Sequence, residues 1–127
     1  MNILAIDTCT EIASVSLDKN GESFSRVLSG VDKTSGHVLK LCDEVFKESQ
    51  TQLQEVELIS YSRGPGSFTG VRMCIGVVQG LSLSMQIPTM GFTSLELVGL
   101  RASKLLGSKK IAIALDARMG EVYWATY

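Results

Sequence analysis

The chain has 127 residues, of which 45% are hydrophobic and 20% are charged, a composition typical of one globular domain rather than of a disordered segment. Its formal net charge of −1 gives no overall field that would attract nucleic acid, so any contact with RNA has to come from a local patch or through a partner. The opening sequence MNILAIDTCT has no basic region and reaches Asp7 after a short apolar run, which predicts neither a signal peptide nor a membrane span and favours a cytoplasmic protein.

Three strands and one helix are predicted for the first 49 residues. NILAID (2–7) is a short apolar run that ends in an acid, IASVSLD (12–18) alternates with a period of two, and SFSRVLS (23–29) gives a third antiparallel strand. From Ser35 to about Ser49 the pattern is helical, and its apolar positions cover an arc of roughly 160°. We expect so wide an apolar arc to pack against two neighbours.

A strand, a glycine-rich loop and two further helices follow. VELISYS (56–62) predicts a strand, and the stretch RGPGSFTGVR joins it to a helix from about residue 67 to residue 84. PTMGFT (88–93) is a short strand that leads into a third helix at 94–106, which ends at Gly107. KKIAIALDA (109–117) predicts another buried strand, with EVYWATY (121–127) as its alternating hairpin partner.

One segment near the start is echoed near the end. ILAIDT (3–8) and IAIALDA (111–117) are both apolar strands that end in Asp, and each is followed by a short turn and an alternating strand. We interpret this as a weak internal repeat. It predicts a first lobe at residues 1–108 and, at residues 109–127, the beginning of a second, related lobe of a longer protein.

The loop and the helix after it carry several small residues. Pro65 is expected to hold Gly64 in an extended conformation, and Ser67 is a natural N-cap. The small residues of the helix are Gly70, Cys74, Gly76 and Gly80. Each glycine costs a helix about 1 kcal/mol, and three explanations stay open: close packing within the chain, a phosphate at the helix N-terminus without a Walker lysine, or a protein–protein interface.

Residues that could carry catalysis are few. Ser67 lacks the G-x-S-x-G spacing of a nucleophile, and His37, the only histidine, excludes HExxH zinc pairs and is expected to be exposed or to cap a helix. The cysteines Cys9, Cys42 and Cys74 have no metal-binding spacing, which predicts reduced thiols and no metal site.

Asp7 and Thr8 end the first strand, where actin-like kinases and ATPases hold metal and phosphates. The turn DTCTEI contains no glycine to let a phosphate approach the backbone. This favours a turn-capping role for Asp7, and it leaves open a vestigial nucleotide site that would comprise Asp7, Thr8, Asp116 and Arg118.

Three motifs together resemble the TsaB (YeaZ) family of bacterial proteins. They are ILAIDT (3–8), GPGSFTGVR (64–72) and DARMGEVYWATY (116–127), and the resemblance runs over the whole chain. It implies an α/β fold of the ASKHA (actin-like, RNase H-like) class. The expected lobe has a mixed five-stranded sheet in the order β-β-β-α-β-α-β-α, followed by the first two strands of a second similar lobe.

The resemblance also implies a function. Members of this family are non-catalytic subunits needed to make threonylcarbamoyladenosine beside the anticodon of tRNA, and they dimerise with and activate the catalytic protein TsaD, which the ATPase TsaE joins. It implies that the protein contacts tRNA only through the complex and does not contact a membrane. It also implies no metal, and no cofactor except ATP or ADP bound weakly or at the complex interface. The alternative is an enzyme acting on its own, either an actin-like ATPase or an M22-type glycoprotease homologue.

The resemblance places the partner interface, and a homodimer interface when the protein is alone, on the first two helices. The implied interface residues are Val38, Leu41, Cys42, Val45, Gly70, Met73, Cys74, Gly76, Val77 and Gly80. Four come from the helix with the wide apolar arc and six from the helix with the glycines, so two such pairs would form a four-helix bundle.

Overall fold

A mixed five-stranded sheet forms the centre of the chain in the computed structural model, which describes residues 1–30 and 35–127. The strands are β1 (Asn2–Asp7), β2 (Ile12–Lys19), β3 (Glu22–Ser29), β4 (Leu58–Ser62) and β5 (Thr89–Phe92). Their spatial order is β3-β2-β1-β4-β5, in which β1, β2 and β3 are antiparallel neighbours and β1, β4 and β5 are parallel neighbours. The predicted antiparallel opening and the mixed five-stranded sheet are confirmed.

Two helices, α1 (Ser35–Ser49) and α2 (Phe68–Met85), pack on the sheet and on each other. The alternation along β1 and β2 places one apolar set against them, and together they form the core. Its most buried side chains are Leu4, Ile6, Val15, Leu17, Val38, Val45, Ile59 and Cys74. The wide apolar arc of α1 therefore packs against two neighbours, as expected, and both belong to the same chain.

Helix α3 (Ser94–Leu106) begins with a reciprocal cap and ends at a glycine. The Glu96 backbone N–H donates to Thr93 Oγ1 at 3.1 Å, and the Thr93 backbone N–H donates to Glu96 Oε2 at 2.6 Å. Gly107 takes the left-handed conformation, with φ of 65°, that stops a helix. The predicted bounds of this helix are confirmed.

The last two strands, β6 (Ala112–Arg118) and β7 (Glu121–Thr126), pair antiparallel as a separate two-stranded sheet. Helix α3 packs against β6, and a methyl group on Gly99 would lie 2.9 Å from the Tyr127 ring, so these elements meet closely. Two expectations about these elements are wrong in detail. A short 3-10 helix at Leu53–Glu55 delays β4 to residue 58, and β6 is not a buried strand, because Ile113 is its only buried residue.

Candidate functional site

The glycine-rich loop lies against the turn between β1 and β2. The Ser67 backbone N–H donates to the Cys9 carbonyl at 2.8 Å, and the buried Thr8 hydroxyl donates to the Gly70 carbonyl at 2.6 Å. We call this the loop–turn contact, meaning residues 64–70 against residues 7–9. It fixes the start of α2 on the end of β1.

Two glycines make the loop–turn contact possible. A Cβ added to Gly66 would collide with the carbonyl oxygen of Cys9, and one added to Gly70 would collide with that of Thr8. Ser67 caps α2 as predicted, because its hydroxyl accepts from the Gly70 N–H at 2.9 Å. The glycines of the GPGSFTG motif thus serve close backbone approach within the chain.

The conformation predicted for Gly64 is wrong. Its φ is +93° rather than extended, and the peptide bond to Pro65 is cis. The restriction that proline places on a preceding residue comes partly from that residue's Cβ, which glycine lacks. Gly64 is also held from the other side, because its carbonyl accepts the Ser94 N–H at 2.9 Å.

Asp7 and Asp116 play the same local role in the two sheets. Asp7 Oδ1 accepts the Cys9 N–H at 2.9 Å, and Asp116 Oδ1 accepts the Arg118 N–H at 2.7 Å. The turn-capping role predicted for Asp7 is confirmed. The sequence echo therefore corresponds to a repeated hydrogen bond. In each sheet the Asp carboxylate accepts the backbone N–H of the residue two positions later.

The four candidate nucleotide-binding residues do not converge. Asp116 and Arg118 line a cleft of about 310 Å³ opposite the Cys9–Glu11 turn and the loop residues Pro65–Ser67. Asp7 lies on a different hollow, and Thr8 is fully buried with its hydroxyl bound to Gly70. Of the four, Asp116 and Arg118 line the cleft between the two sheets, and a nucleotide there stays a prediction.

Seven of the ten predicted interface residues lie inside this chain. They are Val38, Leu41, Cys42, Val45, Gly70, Cys74 and Val77, and all are buried. In this structure these side chains pack within the chain's own sheet and helices, and the interface implied by the resemblance stays a prediction. Met73, Gly76 and Gly80 are the three that stay accessible.

The surface that α2 leaves open is a stripe along the helix. Its members are Phe68, Arg72, Gly76, Gln79, Gly80 and Leu83, all exposed, and we call it the outer face of α2. Beside it a groove of about 450 Å³ is lined by Ser35, Leu39, Met73, Gly76, Val77, Gly80 and Leu81. Sequence reasoning missed Leu39, Phe68 and Leu83, because an apolar period does not tell which side of a helix meets its own sheet.

Helix α2 is also apolar and long enough to cross a membrane, by length and composition only. Core helices of soluble proteins pass the same test, and in this chain Gly70, Cys74, Val77 and Val78 of α2 are buried. The apolar character of its remaining surface is the feature that needs an explanation.

His37 and the cysteines carry no metal site in the part of the chain that the structure describes, where no group of three or more potential ligands converges. His37 is exposed in the first turn of α1, as predicted. The three thiols are unpaired and buried, and burial raises the pKa of Cys42 and of Cys74 to about 12.

We expect the stability of the chain to fall as the pH rises from about 9 to about 12. In the unfolded chain the thiols ionise near 9.0, whereas Cys42 and Cys74 stay protonated up to about 12 when folded, so the folded state holds more protons in that interval. The measurement is the thermal midpoint across that range for the chain and for the double variant Cys42→Ala/Cys74→Ala. Equal slopes for the two proteins would contradict the assignment.

The described geometry is that of an ASKHA-type α/β lobe: a mixed five-stranded sheet with a glycine loop held on its first turn and a further hairpin across a cleft. The family model described as "TsaD: tRNA N6-adenosine threonylcarbamoyltransferase" matches residues 32–127. The chain belongs to this family.

Two relatives that are named TsaB, and one solved structure, match the chain over nearly all of its length. The chain is 40% identical over its whole length to "tRNA threonylcarbamoyladenosine biosynthesis protein TsaB" of Escherichia coli and covers 55% of it. It is 35% identical, over 98% of its length, to the Haemophilus influenzae protein of the same name, of which it covers 53%. The solved structure "YeaZ from Pseudomonas aeruginosa" superimposes on 99% of the chain with a TM-score of 0.92 and 39% identity, and the chain covers 59% of it. The chain therefore spans little more than half the length of these relatives, and the fold and resemblance that its motifs predicted are confirmed.

Proposed function

We propose that this chain acts as a non-catalytic subunit in tRNA threonylcarbamoyladenosine biosynthesis and activates a catalytic partner of the TsaD type. The names of its relatives support the pathway. The partner docks on the outer face of α2 and the adjoining groove. A homodimer through the same face when the partner is absent, a further contact with the ATPase TsaE, and a cytoplasmic location belong to the same proposal.

The observation that carries the docking surface is the open space around Gly76 and Gly80. Among the described residues 1–30 and 35–127, a Cβ built on either glycine meets no atom within 4 Å apart from its own helix turn, so packing among these residues does not require glycine there. Each glycine nevertheless costs the helix about 1 kcal/mol relative to alanine. Close approach of a second helix, which a side chain would block, accounts for both positions.

Large side chains flank the two glycines along the same face. Phe68 is 72% exposed and Leu83 is 80% exposed, and the Arg72 guanidinium lies 3.8 Å from the centroid of the Phe68 ring. Aromatic and arginine side chains are enriched among the residues that dominate binding energy at protein interfaces. A face with glycines at its centre and a large exposed side chain towards each end suits an elongated partner element such as a helix.

The loop–turn contact supports a non-catalytic role. The Cys9 carbonyl and the N–H groups of Cys9 and Gly70 already have partners within the chain, which leaves few backbone groups on this turn for a phosphate. The ATPase alternative predicts tight binding of ATP with magnesium by this chain alone. A calorimetric titration that found such binding would overturn the non-catalytic role while leaving the docking surface standing.

Replacing Gly76 and Gly80 with leucine is expected to weaken capture by a TsaD-type partner about tenfold or more, because the added side chains block helix approach. The fold is expected to persist, since both positions face open space. The measurement is co-purification with the partner, with sedimentation to detect the homodimer. Lys47→Leu, which adds a leucine at an exposed position of α1, is the matched control, and equal capture of all three proteins would refute the docking surface.

A further inference from the structure

The end of α3 and the loop that follows it carry a concentrated positive charge. Arg101, Lys104, Lys109 and Lys110 supply four of the chain's 12 lysines and arginines within ten residues, and no Asp or Glu occurs between Glu96 and Asp116. We call these four residues the basic patch. The chain has a net charge of −1, so it has no overall field that attracts anions. The basic patch provides a local positive field instead.

The charges of the basic patch are accessible and uncompensated. All four residues are exposed. Within residues 1–30 and 35–127 the ion pairs involve only the N-terminal amine, Arg26 and Lys47, so no carboxylate of the described chain neutralises the patch. Lys104, in the last turn of α3, interacts favourably with the helix dipole, but Lys109 and Lys110 lie beyond the helix and have no such structural role.

The loop that carries the two lysines is held in place. The Ser103 hydroxyl donates to the Ser108 carbonyl at 2.7 Å, and the Ser108 hydroxyl donates to the Lys110 carbonyl at 2.9 Å. Ile111 and Tyr127 exchange two backbone hydrogen bonds of 2.9 Å. The loop backbone at Lys109 and Lys110 is therefore held beside the last turn of α3, so less backbone entropy is lost when their side chains bind a ligand.

An aromatic ring adjoins the patch. Tyr127, 49% exposed, and Lys110 line the same shallow hollow of about 460 Å³ together with Ile111, Ala112 and Thr126. Accessible cations of this kind contact the phosphates of a nucleic acid backbone, and the basic patch supplies them beside Tyr127.

We infer that the basic patch binds the phosphate backbone of RNA directly, and the proposed function identifies that RNA as tRNA. This goes beyond the expectation from the resemblance, in which tRNA is met only through the complex. The exposed Leu105 and Leu106 beside the lysines are what an anionic membrane would use instead, and the experiment separates the two occupants.

The test compares two double variants that remove equal charge. Lys109→Gln/Lys110→Gln alters the patch, and Lys40→Gln/Lys47→Gln removes two exposed lysines of α1. Binding of labelled bulk tRNA is measured by fluorescence anisotropy between about 50 and about 200 mM salt. We expect the patch variant to bind roughly tenfold more weakly at the lower salt, with a log–log salt slope shallower by about 1.4 to 1.8, and the control to stay within about twofold.

Three results would overturn the inference: no tRNA binding by the unaltered chain, equal losses in the two double variants, or patch-dependent binding of phosphatidylserine vesicles without binding of tRNA. The same variants are also tested for capture by the TsaD-type partner. If the patch variant loses tRNA binding and still captures the partner, the basic patch is a surface separate from the outer face of α2. If the unaltered chain binds tRNA through the patch but fails to capture the partner, the docking proposal fails and the patch stands.

Discussion

Gly70→Ala is expected to lower the free energy of unfolding by about 3 kcal/mol. The added methyl group would collide with the Thr8 carbonyl oxygen and would lie 2.5 Å from the Ser67 hydroxyl. Both are fixed, because the Thr8 hydroxyl donates to the Gly70 carbonyl and the Ser67 hydroxyl caps α2. Relief of the collision requires α2 to move away from the end of β1, which breaks the loop–turn contact.

The matched control is the same substitution six residues further along the helix. Gly76→Ala places the methyl group in open space, so the higher helix propensity of alanine is expected to raise the free energy of unfolding by about 0.5 to 1 kcal/mol. Urea denaturation of both variants measures the two effects. If the free energy of unfolding falls in Gly70→Ala and rises in Gly76→Ala, the fold requires glycine at position 70 and not at position 76. Equal destabilisation would contradict the distinction.

The elements were predictable because local patterns determine them. The period-two alternation of β2, the capped helix between Thr93 and Gly107 and the Asp7 turn each depend on residues close together in sequence. The bounds of α1 and α3 follow from the sequence for this reason. The delayed start of β4 did not, since the 3-10 turn at Leu53–Glu55 has no strong sequence signal.

The candidate site was less predictable, because it depends on which surfaces meet in three dimensions. The resemblance implied that Val45 and Gly76 lie on one interface, yet Val45 is fully buried in the core and Gly76 is exposed. The contact that requires Gly66 joins residues more than fifty positions apart. The basic patch did have a local signal, a run of cations without acids, that a charge count over the whole chain conceals.

Two leucines of α1 provide the second large contrast. Leu41 is 7% exposed in the core, whereas Leu39 is 45% exposed and lines the groove beside the outer face of α2. Leu41→Ala is expected to lower the free energy of unfolding by about 2 to 4 kcal/mol, because it leaves a cavity between helix and sheet. Leu39→Ala is expected to change it by no more than about 0.5 kcal/mol.

The order of the two leucines is expected to reverse for partner capture. Leu39→Ala removes apolar surface from the groove and should weaken capture by a TsaD-type partner several-fold, by roughly 1 kcal/mol. Leu41→Ala, assayed well below its thermal midpoint, should retain capture because its side chain faces the sheet. Two results would contradict this expectation: a loss of stability in Leu39→Ala, or a loss of partner capture in Leu41→Ala alone. Either would mean that the side of α1 that the structure places in the core instead faces the partner. The wide apolar arc of α1 would then serve the partner after all, and the interface implied by the resemblance would stand as first derived.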